Sequence, residues 1–528
     1  MRLAPTDRRQ LLRLAAATAS TLWLPRSAWS RAARLRSDPF ALGVASGAPL
    51  PDGVVLWTRL LLDPSQSQEH TLRWEVAHDE GFTRIARSGQ VQAVPALGHA
   101  VHAEVQGLEP DRWYFYRFLL GEAASPVGRT RTAPAPGAEV ARLRVGYASC
   151  QRWEHGYYAA WRHLRADAPD LVLFLGDYIY EYPGAQNAVR PVSGGWVLTL
   201  DDYRARYALH RSDPDLQAMH AACPWLLTWD DHEVQNDYAG LHEGNGMPVL
   251  GTAPDFAARR AAAYQAWYEH MPVRATMLTR GLAGLQQRPR GAELRIHQQL
   301  AWGRLATLHL LDGRQYRDRQ ACLKDGGSLI DPAQCPEWAE PQRSYLGAAQ
   351  EQWLEQALAR SGGRWNVIGQ QTLFGPRDAR PGPGQRFWND GWDGYPAART
   401  RLLEALQRQR VSNPVFFGGD VHENWVGHVK ADYADAKSPA LGVEFCGTSI
   451  SSRASASGME RAAERLAENP HFIYGEARHR GYGLAEFTPQ RLRTTLRAVE
   501  DATRADAAAF TLAQFDVLGA ERHPLAFA

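Results

Sequence analysis

Apolar and polar positions follow two different rules along this chain. Between Phe40 and Thr132, runs of strand length are separated by turn residues, as in GVVLWTRL, TLRWEVAHD, HAVHAEVQGL and RWYFYRFLLG. Short strands at that spacing predict a small β-sandwich domain over residues 38–133. After the Pro/Ala/Gly stretch TRTAPAPGAEVAR the rule changes. Apolar runs now alternate with longer stretches of helical spacing, among them YYAAWRHLRADAP, AARRAAAYQAWYEH, GAAQEQWLEQALARS and ARTRLLEALQRQR. That order predicts an α/β domain over residues 143–500 with largely buried strands, followed by a C-terminal tail at 501–528.

In the first domain, GLEPDRWYFY places Leu108, Pro110 and Tyr114 at a spacing that resembles the corner of fibronectin type III sandwiches. There a tyrosine hydroxyl ties a crossing back to the backbone. The histidines of this domain, His70, His78, His99 and His102, are scattered, and no chemistry is expected from them.

Size and charge narrow the picture. A chain of 528 residues is too long for one ordinary core. Its 59 basic and 57 acidic residues leave a net charge of +2, which argues against a general nucleic-acid or polyanion binder. Beyond the first thirty residues no apolar run is long enough to span a membrane. Those thirty read differently. TDRRQLLRLAAATASTLWLPRSAWS has paired Arg8 and Arg9, an apolar stretch and a small-residue end at Ala28 and Ser30. This pattern predicts a twin-arginine signal peptide over residues 1–30 and a periplasmic or extracellular product exported by the twin-arginine machinery. Cys322 and Cys335 then become disulfide candidates, and the lack of any C-x-x-C pair argues against a zinc ribbon.

The chemistry lies where strands end. LRVGYASC ends in Cys150, LVLFLGD in Asp177 with Tyr180 one turn on, and CPWLLTWDDHE in Asp230, Asp231, His232 and Glu233. WNVIGQQT ends in Gln370 and Gln371, and NPVFFGGDVHEN in Asp420 and His422. In an open α/β sheet the carboxyl ends of strands face a common crevice, so five strands are expected to deliver polar groups to one rim. Several carboxylates gathered there repel one another unless a cation sits among them. Asp177, Asp230, Asp231, Asp420 and Asn236 are hard oxygen donors suited to Ca²⁺, Mg²⁺ or Mn²⁺. Cys150, Tyr180 and His422 are not calcium ligands by preference; a thiolate and a phenolate favour a strongly Lewis-acidic ion such as Fe³⁺. Asp177 is the expected bridge between the two sides. A two-metal crevice clamps the attacking and leaving oxygens of phosphoryl displacement.

Together with FALGVASGAPLPDGVVLWTRL, ASCQRW, LGDYIYEY, TWDDHEVQNDYAG, LDGRQYRD, NDGWDGYPAAR and GGDVHENW, these residues resemble the PhoD family of alkaline phosphatases and phosphodiesterases. Those enzymes are relatives of the purple acid phosphatase and metallophosphoesterase fold, and the resemblance spans residues 38 to 490. It implies a four-layer α/β/β/α sandwich behind the β-sandwich domain and a centre of one Fe³⁺ with one or two Ca²⁺. Matched residue by residue, it implies Cys150, Asp177, Tyr180 and His422 around iron, and Asp231 and Asp420 on the calcium side. Asp230 and Asn236 are ligands or their supports. His232 is then a phosphate contact or the proton donor to the leaving alkoxide, and Arg152 a stabiliser of phosphoryl oxygens.

The implied activity is release of phosphate from small-molecule phosphoesters by attack of a metal-bound hydroxide or oxide. One alternative is a phosphodiesterase or phospholipase-D-like activity on the same centre, with PRDARPGPGQRFWNDGWDGYP and NPHFIYGEARHRGYG as lids. The other is a non-catalytic extracellular binding protein, against which the full ligand set counts.

Overall fold

The computed structural model describes residues 38–63, 66, 68–245, 256–278, 293–322 and 328–519. The signal segment expected at 1–30 lies outside them. The chain divides into two compact units. The first holds residues up to Pro134 together with Thr199–Leu226 and Ala257–Arg295; the second holds Ala135–Leu198, Leu227–Phe256 and Ile296 onward.

The first unit begins with eight strands: β1 (Val44–Leu50), β2 (Gly53–Arg59), β3 (His70–Ala77), β4 (Ile85–Ala93), β5 (Ala100–Gln106), β6 (Trp113–Leu120), β7 (Ala123–Ala124) and β8 (Gly128–Arg131). β1, β2 and β5 pair antiparallel, with Gly53 opposite Gln106 and Arg59 opposite Ala100. β4, β3 and β6 form a second antiparallel group, extended by β7 and β8 on β6. Val54, Leu56, Val101 and Ala103 from the first group share one core with Leu72, Trp74, Val76, Tyr116 and Phe118 from the second. That common core makes a sandwich. The hydroxyl of Tyr114 accepts the Glu109 N–H at 2.9 Å, the crossing tie that its spacing predicts.

A division near residue 135 accounts for only part of this unit. It also takes in Trp225 and Leu226 of the strand Trp225–Leu227, with Trp225 paired in parallel with Gly47, the helices Leu200–Arg211 and Pro214–His220, and the helix Phe256–His270 from Ala257 onward. Long-range polar ties hold these later segments to the strands. Gln217 donates to Ala41 O at 2.8 Å, the Trp57 indole donates to Glu269 O at 3.0 Å, and His102 Nε2 sits 2.9 Å from Met271 O.

In the second unit, β9 (Leu143–Ala148) and β10 (Leu171–Phe174) run parallel; β11 is the Trp225–Leu227 strand already described. β12 (Gln298–Trp302), β13 (Ala306–Leu310), β14 (Leu329–Ile330), β15 (Trp365–Gly369), β16 (Phe387–Trp388), β17 (Pro414–Gly418), β18 (Asn424–Lys430) and β19 (Ala440–Cys446) follow. β20 (Phe472–Glu476), β21 (Arg480–Phe487), β22 (Arg491–Val499) and β23 (Ala509–Leu518) complete the set. One sheet runs β23-β22-β21-β9-β10 and the other β12-β13-β15-β17-β19-β18-β20. An aromatic layer joins them: Tyr147 stacks on Phe417 at 4.3 Å, and Phe445 meets Phe515 at 6.3 Å.

Helices Ala348–Ala359 and Pro396–Arg408 cover the outer face of the second sheet, setting Leu354, Leu358, Leu402 and Leu406 against Ile368 and Phe416. Helix Ala159–Ala166 covers the first sheet. A Cβ on Gly146 would come 2.7 Å from Leu164, so that glycine admits the helix. The result is the α/β/β/α order. No helix among the described residues is long and apolar enough to cross a membrane.

Two expectations change here. The tail at 501–528 contains β23, which pairs antiparallel with β22 from Ala509 opposite Val499 to Leu518 opposite Arg491. The segment 469–483, expected as a lid, supplies β20 and the start of β21 and is sheet rather than cover. Cys322 and Cys335 are disulfide-bonded, with Cα atoms 6.0 Å apart.

Candidate metal centre

Every residue of this site belongs to the second unit. Cys150 follows β9, Asp177 follows β10, and Asp420 and His422 follow β17. All four have left-handed backbones, with φ between 56° and 64°. Non-glycine residues rarely hold that conformation, and it concentrates where side chains must be aimed against local preference. The neighbouring glycines make room. A Cβ on Gly176 would lie 2.5 Å from the Asp230 Cβ, and one on Gly419 would lie 2.2 Å from Ser149 Oγ.

Glu233 sets the separation of the two acidic turns. Its carboxylate accepts the N–H groups of Asp177 at 3.1 Å, Tyr178 at 2.6 Å and Asp230 at 2.9 Å. Three donors on one buried carboxylate staple the 177 and 230 turns together.

The ligand atoms then converge in sets lying within 4.8 Å of one another: Cys150, Asp177 and His422; Asp177, Asp231 and His232; Asp177, Asp230 and Asp420; and Asp231, Asp237 and Asp390. Asp177 belongs to three of these sets. Tyr180 closes the first. Its hydroxyl donates to Asp177 Oδ2 at 2.9 Å, lies 3.2 Å from His422 Nε2 and accepts from Ser452 Oγ at 2.8 Å. His422 Nδ1 donates to Arg453 O at 2.9 Å, which turns the Nε2 lone pair toward Tyr180. On the other side Asp420 Oδ2 accepts from Thr372 Oγ1 at 2.8 Å.

Charge is the strongest constraint on the centre. Burial, together with Asp231, Glu233 and Asp420 and against His232, pushes Asp177 well above the usual carboxylate range. Burial and Asp231 push Asp420 up to about 6. Burial and Asp177 push the Cys150 thiol and the Tyr180 phenol well above their ordinary values. Asp231 differs: burial works against its charge, yet Arg314 and His232 hold it below the usual range. The Arg314 guanidinium, 1% exposed, bonds Asp230, lies 3.6 Å from Asp231 and 2.8 Å from Asp390. Asp177 Oδ1 and Asp230 Oδ2 are buried without a hydrogen-bond partner. Unpartnered carboxylate oxygens in such a place cost free energy that a bound cation removes, and the donor set therefore fits metal ions.

His232 stands beside this cluster. Its Nδ1 lies 2.8 Å from Glu181 Oε2, its ring 4.2 Å from that of Tyr180. Glu181 is fully buried, and its other oxygen accepts the Asn236 N–H at 2.8 Å. Burial opposes charge on His232, but Asp231, Glu181 and Asp177 raise its affinity for a proton well above the ordinary value. The Arg152 guanidinium lies 5.5 Å from the Tyr180 ring centroid and 4.7 Å from that of Tyr182.

Cys150, Asp177, Tyr180, Asp230, Asp231, Asp420 and His422 thus converge, with His232 and Arg152 at their edge. Asn236 is already engaged: its Oδ1 accepts from the Tyr182 hydroxyl at 3.0 Å and its Nδ2 donates to Asn245. Gln370 and Gln371 are not site groups. Gln371 Nε2 donates to Leu311 O and its Oε1 accepts the Gly313 N–H, so the side chain ties strand ends together. Sequence reasoning gave no role to Arg314, Asp237, Asp390 or Ser452. Arg314 had a signal, since LDGR directly follows β13 as one more polar strand end.

Residues 145–496 match the family described as PhoD-like phosphatase, and residues 26–134 match PhoD-like phosphatase, N-terminal domain. Alkaline phosphatase D of Bacillus subtilis (strain 168) is 43% identical over 493 residues, which span 91% of this chain and 81% of that protein. A solved structure of PhoD is 41% identical with a TM-score of 0.85, covering 92% of each chain.

Proposed function

The chain belongs to the PhoD-like phosphatase family and is a phosphoric ester hydrolase of the alkaline phosphatase type; on that premise we propose that it acts outside the cytoplasm as a metal-dependent enzyme on small phosphoesters. The observation that carries the metal dependence is Asp177, common to three sets of converging ligand atoms and left with an unpartnered buried oxygen. Cys150, Asp177, Tyr180 and His422 would hold Fe³⁺. Asp177, Asp230, Asp231 and Asp420, with Asn236 beside them, would hold one or two Ca²⁺. When bound, the ions supply Lewis acidity toward the phosphoryl oxygens and the attacking water.

The chain's own residues do the rest. Glu233 holds the two acidic turns at fixed separation. Arg152 faces the charge that grows on the phosphoryl oxygens. His232, hydrogen-bonded through Nδ1 to Glu181, keeps a proton available for the departing alkoxide. Hydrolysis of a simple phosphomonoester and of a diester, each with calcium added and removed, tests the reading. Calcium-dependent monoester hydrolysis is expected. Calcium-independent turnover would refute the calcium site, and preferential diester turnover would make the enzyme a phosphodiesterase.

Residues 1–30 direct the chain through the twin-arginine machinery in this reading. Replacing Arg8 and Arg9 by lysine should leave the enzyme in the cytoplasmic fraction, and unchanged export would overturn the assignment.

A further inference from the structure

The segment 182–198 is built onto the rim beside His232. Arg190, 6% exposed, lies 3.6 Å from the Trp153 ring centroid and 4.2 Å from that of Tyr158. Val189 N donates to Glu154 O at 2.8 Å, and Val197 N donates to Glu181 O at 3.0 Å. A Cβ on Gly184 would come 2.4 Å from Val192 O, so the segment folds back on itself at a glycine. These ties bring Trp196 edge-on to Tyr182, with ring centroids 5.4 Å apart. Tyr182 in turn lies 5.2 Å from the His232 ring, and its hydroxyl is committed to Asn236. Both aromatic side chains remain partly exposed.

This placement has a consequence for the alcohol that leaves. Its oxygen must meet the His232 imidazole to receive a proton, so its organic part extends over whatever lies next to that ring. Tyr180, 4.2 Å from that ring, is buried among the ligands; the partly exposed side chains beside it are Tyr182 and then Trp196, with the Arg152 guanidinium 4.7 Å from the Tyr182 ring. Two rings set at a steep angle offer a planar group both face and edge contacts, which aromatic quadrupoles favour and an aliphatic polyol cannot reproduce. We propose that Tyr182 and Trp196, held by the Arg190 clamp, form a leaving-group subsite that selects phosphoesters whose alcohol carries a planar aromatic group. The inference rests on the reading of His232 as the proton donor.

The test measures kcat/KM for phenyl phosphate and for glycerol phosphate with the purified holoenzyme, its Trp196→Leu and Tyr182→Leu variants, and Tyr182→Phe, which keeps the ring. Trp196→Leu and Tyr182→Leu should each lower the phenyl-to-glycerol ratio about tenfold, mainly through KM. Tyr182→Phe should hold that ratio near the wild-type value. Equal losses on both esters, or no change in the ratio, would overturn the subsite while leaving the phosphatase reading intact. A wild-type holoenzyme that hydrolyses neither ester would instead refute that reading.

Discussion

Glu181→Gln isolates the proton-transfer role proposed for His232. The carboxylate of Glu181 receives two N–H groups, His232 Nδ1 at 2.8 Å and Asn236 N at 2.8 Å. A glutamine offers one oxygen, so its amide N–H₂ must face one of those donors. It also removes a negative charge that raises the proton affinity of His232. A hydrogen bond to a charged partner is worth about 2 kcal/mol, which corresponds to roughly 30-fold in rate if it is fully used in the transition state. That loss should appear in kcat for glycerol phosphate, whose alkoxide needs a proton to depart. It should shrink to about threefold or less for p-nitrophenyl phosphate, whose phenolate leaves without one. KM should hold for both, because Glu181 is fully buried and acts through His232. Steady-state kinetics on the two esters at saturating calcium supply the comparison. Equal losses of kcat on both esters, or a loss carried by KM, would refute the assignment of His232 as the proton donor.

Other substitutions probe the supports of the site. Arg314→Met leaves Asp230, Asp231 and Asp390 without their shared cation and should lower folding stability by about 3–5 kcal/mol, read as a fall in Tm. Gly176→Ala forces a side chain at φ +113° and into the Asp230 backbone; activity should be lost or the protein should fail to fold, and a fully active variant would contradict the close approach of the two turns. His102 is fully buried, and burial lowers its pKa to about 4, against the two backbone carbonyls that favour its proton. Its neutral form is the one folded into the first unit. That contribution is fully present above the unfolded value near 6.5 and is lost as pH falls from there toward 4, about 3 kcal/mol in all. Denaturant unfolding at pH 7.5 and pH 4.5 should show the difference, and His102→Gln should narrow it.

The sequence made much of the centre legible because strand-end polarity survives in the fold. Cys150, Asp177 and Asp420 each follow a short strand, fully buried in β10 and β17 and buried but for Arg144 in β9, and an apolar run that stops on a polar residue marks its own terminus. The same rule over-reached at Gln370 and Gln371, since amide side chains at a strand end can bond the neighbouring backbone instead of a ligand. It under-reached at Arg314, where a cation was needed to offset acids that lie distant in the chain. Edge strands were the hardest to read. β4 buries only Ala93 and β23 only Val517, so neither carries the alternation that marks a half-buried strand. The attachment of the helices Leu200–Arg211 and Phe256–His270 to the first unit was equally hidden, because it depends on pairings such as Trp57 with Glu269 across 212 residues.

Metal analysis of the purified protein beside Asp177→Asn decides whether Asp177 joins two metal ions in one centre. Elemental analysis, visible absorption and phosphatase activity should be measured on the same samples. Iron and calcium are expected in the wild type, with a visible charge-transfer band from Tyr180 and Cys150 on Fe³⁺, and metals, band and activity should be lost together in a folded Asp177→Asn. A wild-type enzyme that is fully active yet free of metal, or an Asp177→Asn variant that keeps both metals and turnover, would contradict that centre.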